Sequence, residues 1–294
     1  MTNTLRSDEL IQYGIVAYHK AKFEEAKKLF DQALEIDNEA TEAMNYKGLL
    51  CLLTHDYEKA IFWWEKSLEV KENFDAITHL AFQYQRLENK EKAIPLLERA
   101  LTLDGSRSDL AIALSVYELE DKNYTKAKAL LEPYLDFEPV DEQLMMTYAH
   151  IHHQNAEYNT AIEILEKLFE KQPESCGALQ QIAKIYWHLK EYIKAQTYYV
   201  KALNLLPNHL EILKEYGVLL RDHIKVDEAI EHFQKMRAGQ ENDAEVHYLL
   251  ATCYEIKKDH KPALTHYKRA FELYPMAGGI RQKIHQMEVA IKAL

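Results

Sequence analysis

The chain has 294 residues and a formal net charge of −11, with 36 Lys and Arg against 47 Asp and Glu. This acidic balance argues against a general nucleic-acid binder, which needs a basic face, and against docking on anionic membranes. The three cysteines, Cys51, Cys176 and Cys253, are odd in number and form no CxxC pair, so we expect neither a disulfide framework nor a zinc site.

Composition favours helices throughout, because Gly (8) and Pro (7) are scarce while Ala, Leu, Glu and Lys are frequent. The N-terminus, MTNTLRSDELIQYG, lacks the basic and then apolar pattern of a secretory signal. No run approaches the 18 or so apolar residues that a membrane span requires. We therefore expect a soluble, cytoplasmic, all-α protein.

One alanine recurs along the chain in steps of 34 residues, with a single step of 33. Its positions are Ala26, Ala60, Ala93, Ala127, Ala161, Ala195, Ala229 and Ala263. Twelve residues before each alanine stands a small residue: Gly14, Gly48, Ala81, Ser115, Ala149, Ala183, Gly217 and Ala251. Four residues after it stands a large apolar one: Phe30, Trp64, Leu97, Leu131, Leu165, Tyr199, Phe233 and Tyr267. A fixed period of this length is the signature of a repeat architecture.

These columns predict pairs of antiparallel helices. Small residues let two helix backbones approach, and the bulky residue one turn later fills the space toward the next hairpin. The turn inside each pair is polar, as in HDYEKA (55–60) and KDHKPA (258–263). Proline closes several units, at Pro139, Pro173, Pro207 and Pro275, where a helix must stop.

The 34-residue period with its small, alanine, aromatic and proline columns resembles the tetratricopeptide repeat (TPR) family. With the alanine as the twentieth residue of each unit, eight repeats cover 7–40, 41–73, 74–107, 108–141, 142–175, 176–209, 210–243 and 244–277. A capping helix is expected at about 279–294. The resemblance implies an α-α superhelix, which we expect to be one solenoid domain over 1–294. Pro133 falls inside the second helix of repeat four and should kink it.

In this family the first helices line a concave groove, and positions 2, 5, 6, 9, 12 and 13 of each unit point into it. In repeats one to four these positions hold acids (Asp8, Glu42, Asp75, Asp109) beside apolar residues such as Phe82. The acids predict a track for a basic partner segment with apolar anchors. The simpler explanation is that acids are favoured in the first turn of any helix, and it accounts for most of them.

In repeats five to eight the same positions mix aromatic, histidine and basic residues. The candidate partner-binding residues there are His150, His153, Gln181, Lys184, Trp187, His188, Lys214, Arg221 and Tyr248. Three cations beside a tryptophan predict a grip on a carboxylate or phosphate of a peptide. The alternative, that Glu211, Glu215 and Asp222 neutralise these cations, stays equally open.

Several functions are disfavoured by the same residues. The carboxylate clamp of many TPR co-chaperones needs Asn at position 9, which no repeat has. His150 and His153 share a helical face, with His152 turned toward the core, but a metal site would need a third ligand such as His188, and a plain groove surface is the better interpretation. Phosphate loops, GxSxG and HExxH are absent from the sequence. We expect no catalysis, no cofactor and no metal.

The sequence therefore predicts a scaffold or adaptor that binds a segment of another protein in its groove. One alternative is a self-associating structural solenoid, motivated by Phe62, which stands where a polar residue is usual, and by the amphipathic C-terminal helix. Another is a peptide-sensing regulator that closes around its ligand. We expect a monomer or a weak homo-oligomer.

Overall fold

The structure is a computed structural model, which describes residues 6–239, 242–276 and 278–293. Over these residues it contains seventeen α-helices and no strand, so the all-α prediction is confirmed. Contacts along the chain divide it into two compact units, one ending at Glu138 and the other beginning at Pro139. The single domain over 1–294 stays a prediction.

The first unit is built from four helix hairpins that match repeats one to four. Its helices are α1 (Ser7–His19), α2 (Phe23–Ile36), α3 (Thr41–Leu53), α4 (Tyr57–Val70), α5 (Phe74–Arg86), α6 (Lys90–Leu103), α7 (Ser108–Glu120) and α8 (Tyr124–Leu131). Polar side chains start several of them, because the first backbone N–H groups of a helix have no partner inside it. Asp56, Asn73 and Asn89 accept such N–H groups at the starts of α4, α5 and α6.

The second unit contains the hairpins of repeats five to eight and one further helix. Its helices are α9 (Glu142–Gln154), α10 (Tyr158–Lys171), α11 (Cys176–His188), α12 (Tyr192–Leu205), α13 (Leu210–Leu219), α14 (Val226–Gly239), α15 (Ala244–Ile256), α16 (His260–Leu273) and α17 (Ile280–Lys292). The last is the expected capping helix. Its Ile280 and Met287 are buried against Ala251, Ala263 and Tyr267 of repeat eight.

In the three hairpins whose small residue is glycine, that glycine lies in close contact with the large residue. A Cβ atom placed on Gly48 would lie 2.3 Å from Nε1 of Trp64, and one placed on Gly217 would lie 2.4 Å from Cε1 of Phe233. The large ring therefore fills space inside its own hairpin, and not only toward the next one. Trp64 does both, since its ring centroid is also 5.2 Å from that of His79 in the following repeat.

The turn inside seven hairpins uses one left-handed residue, at position 15 of the repeat. These residues are Ala21, His55, Glu88, Lys122, Ala156, Lys190 and Lys258, with φ between 56° and 62°. None is glycine, although glycine adopts this conformation at the lowest cost. Repeat seven differs, because α13 passes into a π-helical turn, Leu220–Ile224, in place of that bend.

Repeat four departs from the others where the sequence predicted a kink. Its second helix, α8, has only 8 residues and continues as a 3-10 turn, Glu132–Tyr134, that contains Pro133. Proline has no N–H, and its ring displaces the carbonyl four residues earlier. The expected kink is therefore an end to the α-helix at Leu131.

Candidate functional site

The first helices of repeats five to eight are linked side by side through their side chains. The rings of His153 on α9 and His188 on α11 have centroids 5.6 Å apart. Gln180 Nε2 on α11 donates to Glu215 Oε2 on α13 at 2.9 Å, and Lys214 Nζ on α13 lies 2.5 Å from Glu245 Oε2 on α15. We call this side of α9, α11, α13 and α15 the first-helix face of the second unit.

Nine of the ten predicted partner-binding residues belong to this unit, and eight of these nine are half-buried rather than fully exposed. Gln181, Lys184 and His188 share one side of α11, since their spacing of three and four residues places them in line on a helix. Tyr248 lies on α15, with its ring 5.7 Å from that of Tyr267. The tenth, Phe82, lies on α5 of the first unit, half-buried against the core of repeats two to four.

The three cations of the face are each paired with carboxylates. Lys184 Nζ lies 2.7 Å from Glu215 and 3.8 Å from Glu211, as the neutralised alternative predicted. Arg221 forms a two-bond contact with Asp222, at 2.5 and 2.7 Å, and its Nη1 donates to Thr252 at 3.0 Å. The side chains of these cations are therefore held in position, and their charges are paired with carboxylates.

The ion pairs of Lys214 differ from those that this alternative predicted. Its partners are Asp243 at 3.0 Å and Glu245 at 2.5 Å, and not Glu211 or Glu215. Burial lowers the pKa of Lys214, but the bonds to Glu245 and Asp243 outweigh burial and hold this pKa above its ordinary value. Asp243 also accepts the backbone N–H groups of Glu245 and Val246 at the start of α15. Lys214 thus stabilises a helix start as well as lining the face.

Four rings form a connected group between α9, α10 and α11, which we call the histidine cluster: His150, His153, Tyr158 and His188. The centroids of His150 and His153 are 6.2 Å apart, and that of Tyr158 lies 5.6 Å from His153 and 5.2 Å from His188. The Tyr158 hydroxyl and His188 Nε2 share a hydrogen bond of 2.9 Å. His152, on the opposite side of α9, is buried beside Glu157, as expected.

The environment of His150 and His153 disfavours positive charge on their imidazoles. Burial lowers the pKa of His150, and the nearby ammonium of Lys184 lowers it further. Burial also lowers the pKa of His153, with a further contribution from His150 and His188. Every charged group that contributes to these two shifts is cationic. At neutral pH His150 and His153 are therefore uncharged rings that can donate or accept hydrogen bonds.

A second, shallow depression adjoins the cluster and is lined by Lys184, Trp187, His188, Lys190, Tyr192 and His223. We call it the aromatic pocket. Tyr192 and His223 stack with centroids 4.0 Å apart and planes 5° from parallel, and Trp187 meets His223 edge-on at 6.1 Å. The π-helical turn of repeat seven carries His223, so the irregular backbone supplies one wall of the pocket.

Four residues of the site escaped the sequence prediction: Tyr158, Lys190, Tyr192 and His223. All four lie near the turns inside hairpins, outside the six groove positions assigned from the family. A signal for two of them was present, because the first residue of the second helix is aromatic in several repeats, as in Phe23, Tyr57 and Tyr124. No comparable column pointed to His223.

The structure also bears on two other kinds of site. Within the ranges that the structure describes, no group of three or more His, Cys, Asp or Glu side chains could hold a metal ion. Among the same residues, no helix is long and apolar enough to cross a membrane.

Family models match along most of the chain. A tetratricopeptide repeat model matches residues 14–72, and a second one matches 75–107 and 244–275. A model described as "YpiA-like, C-terminal tetratricopeptide repeats" matches residues 178–239. Together with the eight hairpins and the capping helix, these matches show the class of protein. The chain belongs to the tetratricopeptide repeat family.

The chain is similar to several curated relatives at low identity. It is 23% identical to a TPR repeat-containing protein of Methanocaldococcus jannaschii, over 80% of this chain and 43% of the relative. It is 22% identical to anaphase-promoting complex subunit 7 of Dictyostelium discoideum (92% and 41%) and 26% identical to mitochondrial import receptor subunit TOM70 of Saccharomyces cerevisiae (43% and 22%). The chain thus spans less than half the length of these relatives.

Solved structures show the same fold. A tetratricopeptide repeat protein from Parabacteroides merdae matches with a TM-score of 0.55 at 13% identity, over 96% of this chain and 98% of that one. Yeast TOM70 matches with a TM-score of 0.62 at 17% identity, over 99% and 65%. At such identities the likeness concerns the arrangement of helices and not the residues of a binding site.

Proposed function

We propose that the chain is a protein-interaction scaffold that holds a segment of a partner protein against the first-helix face of its second unit. The observation that carries this proposal is the aromatic pocket beside the histidine cluster, a partly open, ring-lined surface that the hairpin packing does not require. Two relatives are named as subunits, of the anaphase-promoting complex and of a mitochondrial import receptor, and this supports a role in binding rather than in catalysis.

The pocket has the features of a binding hot spot. Trp187 is half-buried, with one edge toward Tyr199 at 6.4 Å and another toward His223, so its ring is already fixed before a partner arrives. Fixed aromatic rings contribute a large contact area and lose little side-chain entropy on binding. Trp, Tyr and Arg residues are the ones that most often dominate binding energy.

The ion pairs of Lys184 and Lys214 indicate what kind of partner segment to expect. Because Lys184 and Lys214 already contact carboxylates, we expect them to set the orientation of the segment more than its affinity. Lys190, at the left-handed turn position, is exposed at the pocket rim and can meet an acidic group of the partner. The segment is therefore expected to combine an apolar or aromatic anchor with nearby acidic residues.

The test is affinity capture from a native lysate followed by mass spectrometry, with three proteins side by side. They are the intact chain, a Trp187→Ala/Lys184→Ala variant, and a control, Ile193→Ala, which changes an apolar side chain that is 67% exposed on a second helix. Lys214 is not substituted, because its loss would leave Asp243 without its ion-pair partner. We expect at least one protein that the intact chain and the control retain and the double variant loses. Identical sets from all three would refute the groove assignment.

One observation favours self-association as a second candidate. Phe62 on α4 is 55% exposed and meets Trp63 edge-on at 5.4 Å, which leaves an aromatic side chain facing water. An exposed aromatic residue can seat on a second copy of the chain. Light scattering at rising concentration tests this, with Phe62→Ser as the comparison. A constant monomer mass would eliminate the self-association candidate.

A further inference from the structure

Two imidazoles of the histidine cluster, those of His150 and His153, are half-buried and share one electrostatic setting. A carboxylate beside an imidazole would favour its charged form. Here burial is the main effect that opposes protonation of His150 and His153, and Lys184 and the neighbouring imidazoles oppose it further. No carboxylate among the described residues contributes to the pKa shifts of these two rings.

The charged and titratable groups around the cluster come from four elements. Helix α10 contributes the Tyr158 hydroxyl, and α11 contributes Lys184 and His188. From α13, Glu211 and Glu215 face Lys184 and are engaged by it, at 3.8 and 2.7 Å. The π-helical turn brings His223 to the adjoining pocket.

We propose that the histidine cluster receives an oxyanion side chain of the partner segment and that His150 and His153 take up protons from solvent as it does so, so that binding strengthens as pH falls. The proposal rests on the proposed function, since it places the acidic part of the segment beside the aromatic pocket. An imidazole that gains a proton offers an N–H donor at both nitrogens, and such charge-assisted bonds to a carboxylate are stronger than neutral ones.

The two rings that take up protons are neighbours within the cluster. His150 and His153 lie edge-on to one another on adjacent turns of α9. The hydrogen bond of 2.9 Å between the Tyr158 hydroxyl and His188 Nε2 lies next to His153. Incoming negative charge offsets the effect of Lys184, and this couples anion binding to proton uptake.

The experiment measures the affinity of an acidic probe against pH. The probe is a fluorescein-labelled peptide with a central Asp-Glu-Asp-Glu run flanked by Leu and Phe, and its control has Asn-Gln-Asn-Gln in that run. Anisotropy titrations run at pH 8, 7 and 6, at constant ionic strength, with folding checked by circular dichroism at each pH. Asp and Glu of the probe stay ionised throughout this range, since their pKa values lie near 4.

For the intact chain we expect Kd for the acidic probe to fall by about tenfold or more between pH 8 and pH 6, because each proton taken up contributes up to about tenfold per pH unit. The amide probe should show no such change. A His150→Gln/His153→Gln variant should lose most of the pH dependence. The control His285→Gln, at an exposed position of α17, should keep it.

The outcomes separate the two proposals. Equal affinity at pH 6 and pH 8, lost in Trp187→Ala/Lys184→Ala, would overturn proton coupling and leave the groove assignment standing. Binding that neither variant weakens would place the probe elsewhere and overturn the inference. Failure of the acidic probe to bind at any pH would also overturn it, while lysate capture would still test the scaffold.

Discussion

The two units differ in surface charge although both are built from the same helix hairpin. The unit ending at Glu138 has 26 Asp and Glu against 17 Lys and Arg, a net charge of −9; the unit beginning at Pro139 has 21 against 19, a net charge of −2. Most of the acidic character of the chain therefore lies in repeats one to four.

The same contrast appears on the first helices. Position 2 of the first unit is acidic in all four repeats: Asp109 forms an ion pair with Arg107, whereas Asp8, Glu42 and Asp75 form none with a residue that the structure describes. In the second unit the equivalent Glu211 and Glu245 contact the lysines Lys184 and Lys214. The helix dipole explains most of the acids of the first unit, whereas Glu211 and Glu245 of the second unit also fix a lysine of the preceding repeat. The packing of the hairpins does not determine the contacts of the residues at position 2, so these contacts can differ between two units of one fold.

The largest effect we expect tests the part that the units share. Gly48→Ala in the first unit and Gly217→Ala in the second each force a methyl group into a buried ring, Trp64 or Phe233. Overpacking of this kind costs about 2 kcal/mol of unfolding free energy. Urea denaturation followed by circular dichroism measures it. Unchanged midpoints would contradict the hairpin packing described above.

A rescue variant tests the packing further, and the number of unfolding transitions tests whether the two units unfold as one domain. Gly48→Ala/Trp64→Leu reproduces the Ala81 and Leu97 pair of repeat three and should recover much of the loss. If the two units unfold as one domain, both glycine variants shift a single transition. If they unfold separately, each variant shifts only its own transition, and the single domain predicted over 1–294 is refuted.

Acidification should affect the second unit more than the first. Burial lowers the pKa of His79 in the first unit, and of His150, His153 and His232 in the second. Folding favours the neutral form of each of these histidines. The contribution of each to the free energy of unfolding is therefore fully present above the ordinary histidine pKa of about 6.5, and it is lost as pH falls through the lower pKa of the folded protein. The thermal midpoint should drop between pH 7.5 and 5.5.

The double variant His150→Gln/His153→Gln isolates the cluster in this experiment. It should reduce the drop in midpoint relative to the intact chain, and His285→Gln should not. An equal drop in all three proteins would mean that the cluster contributes nothing to the pH dependence of stability.

Sequence alone predicted the hairpins because their packing repeats with the period of the chain. The alanine column and its small and large partners are buried in every hairpin, so the eight repeats and the capping helix follow from spacing. The π-helical turn of repeat seven also had a signal in the sequence. Position 15 there is Ile224, and a β-branched residue strongly disfavours the left-handed bend that the other seven repeats use.

The contacts of the site could not be predicted in the same way. Lys214 meets Asp243 and Glu245, which are 29 and 31 residues further along the chain, and not the acids nearest to it in sequence. Such pairs depend on the offset between neighbouring hairpins and on side-chain rotamers, which no column of the repeat encodes. The stacking of Tyr192 on His223 depends in addition on an irregular turn.

The smallest effect we expect concerns the turns that both units use. Ala21 and Ala156 occupy the left-handed position with φ of 56° and 59°, one in each unit. A left-handed conformation costs an L-residue about 1–2 kcal/mol, and a change to glycine removes this cost. Glycine also makes the unfolded chain more flexible, which offsets about 0.5–1 kcal/mol of that stabilisation. Ala21→Gly and Ala156→Gly should therefore each stabilise the protein by about 0.5–1 kcal/mol in urea denaturation.

The control is Ala129→Gly, an exposed alanine inside α8, which should instead destabilise by about 1 kcal/mol. The two turns have the same backbone bonds, since Ala21 N donates to Tyr18 O at 2.9 Å and Ala156 N donates to His153 O at 3.0 Å. Equal gains would confine the difference between the units to their first-helix surfaces. A smaller gain at Ala156 would show that the turn after His153 is held by its surroundings, and this would tie the backbone of repeat five to the histidine cluster.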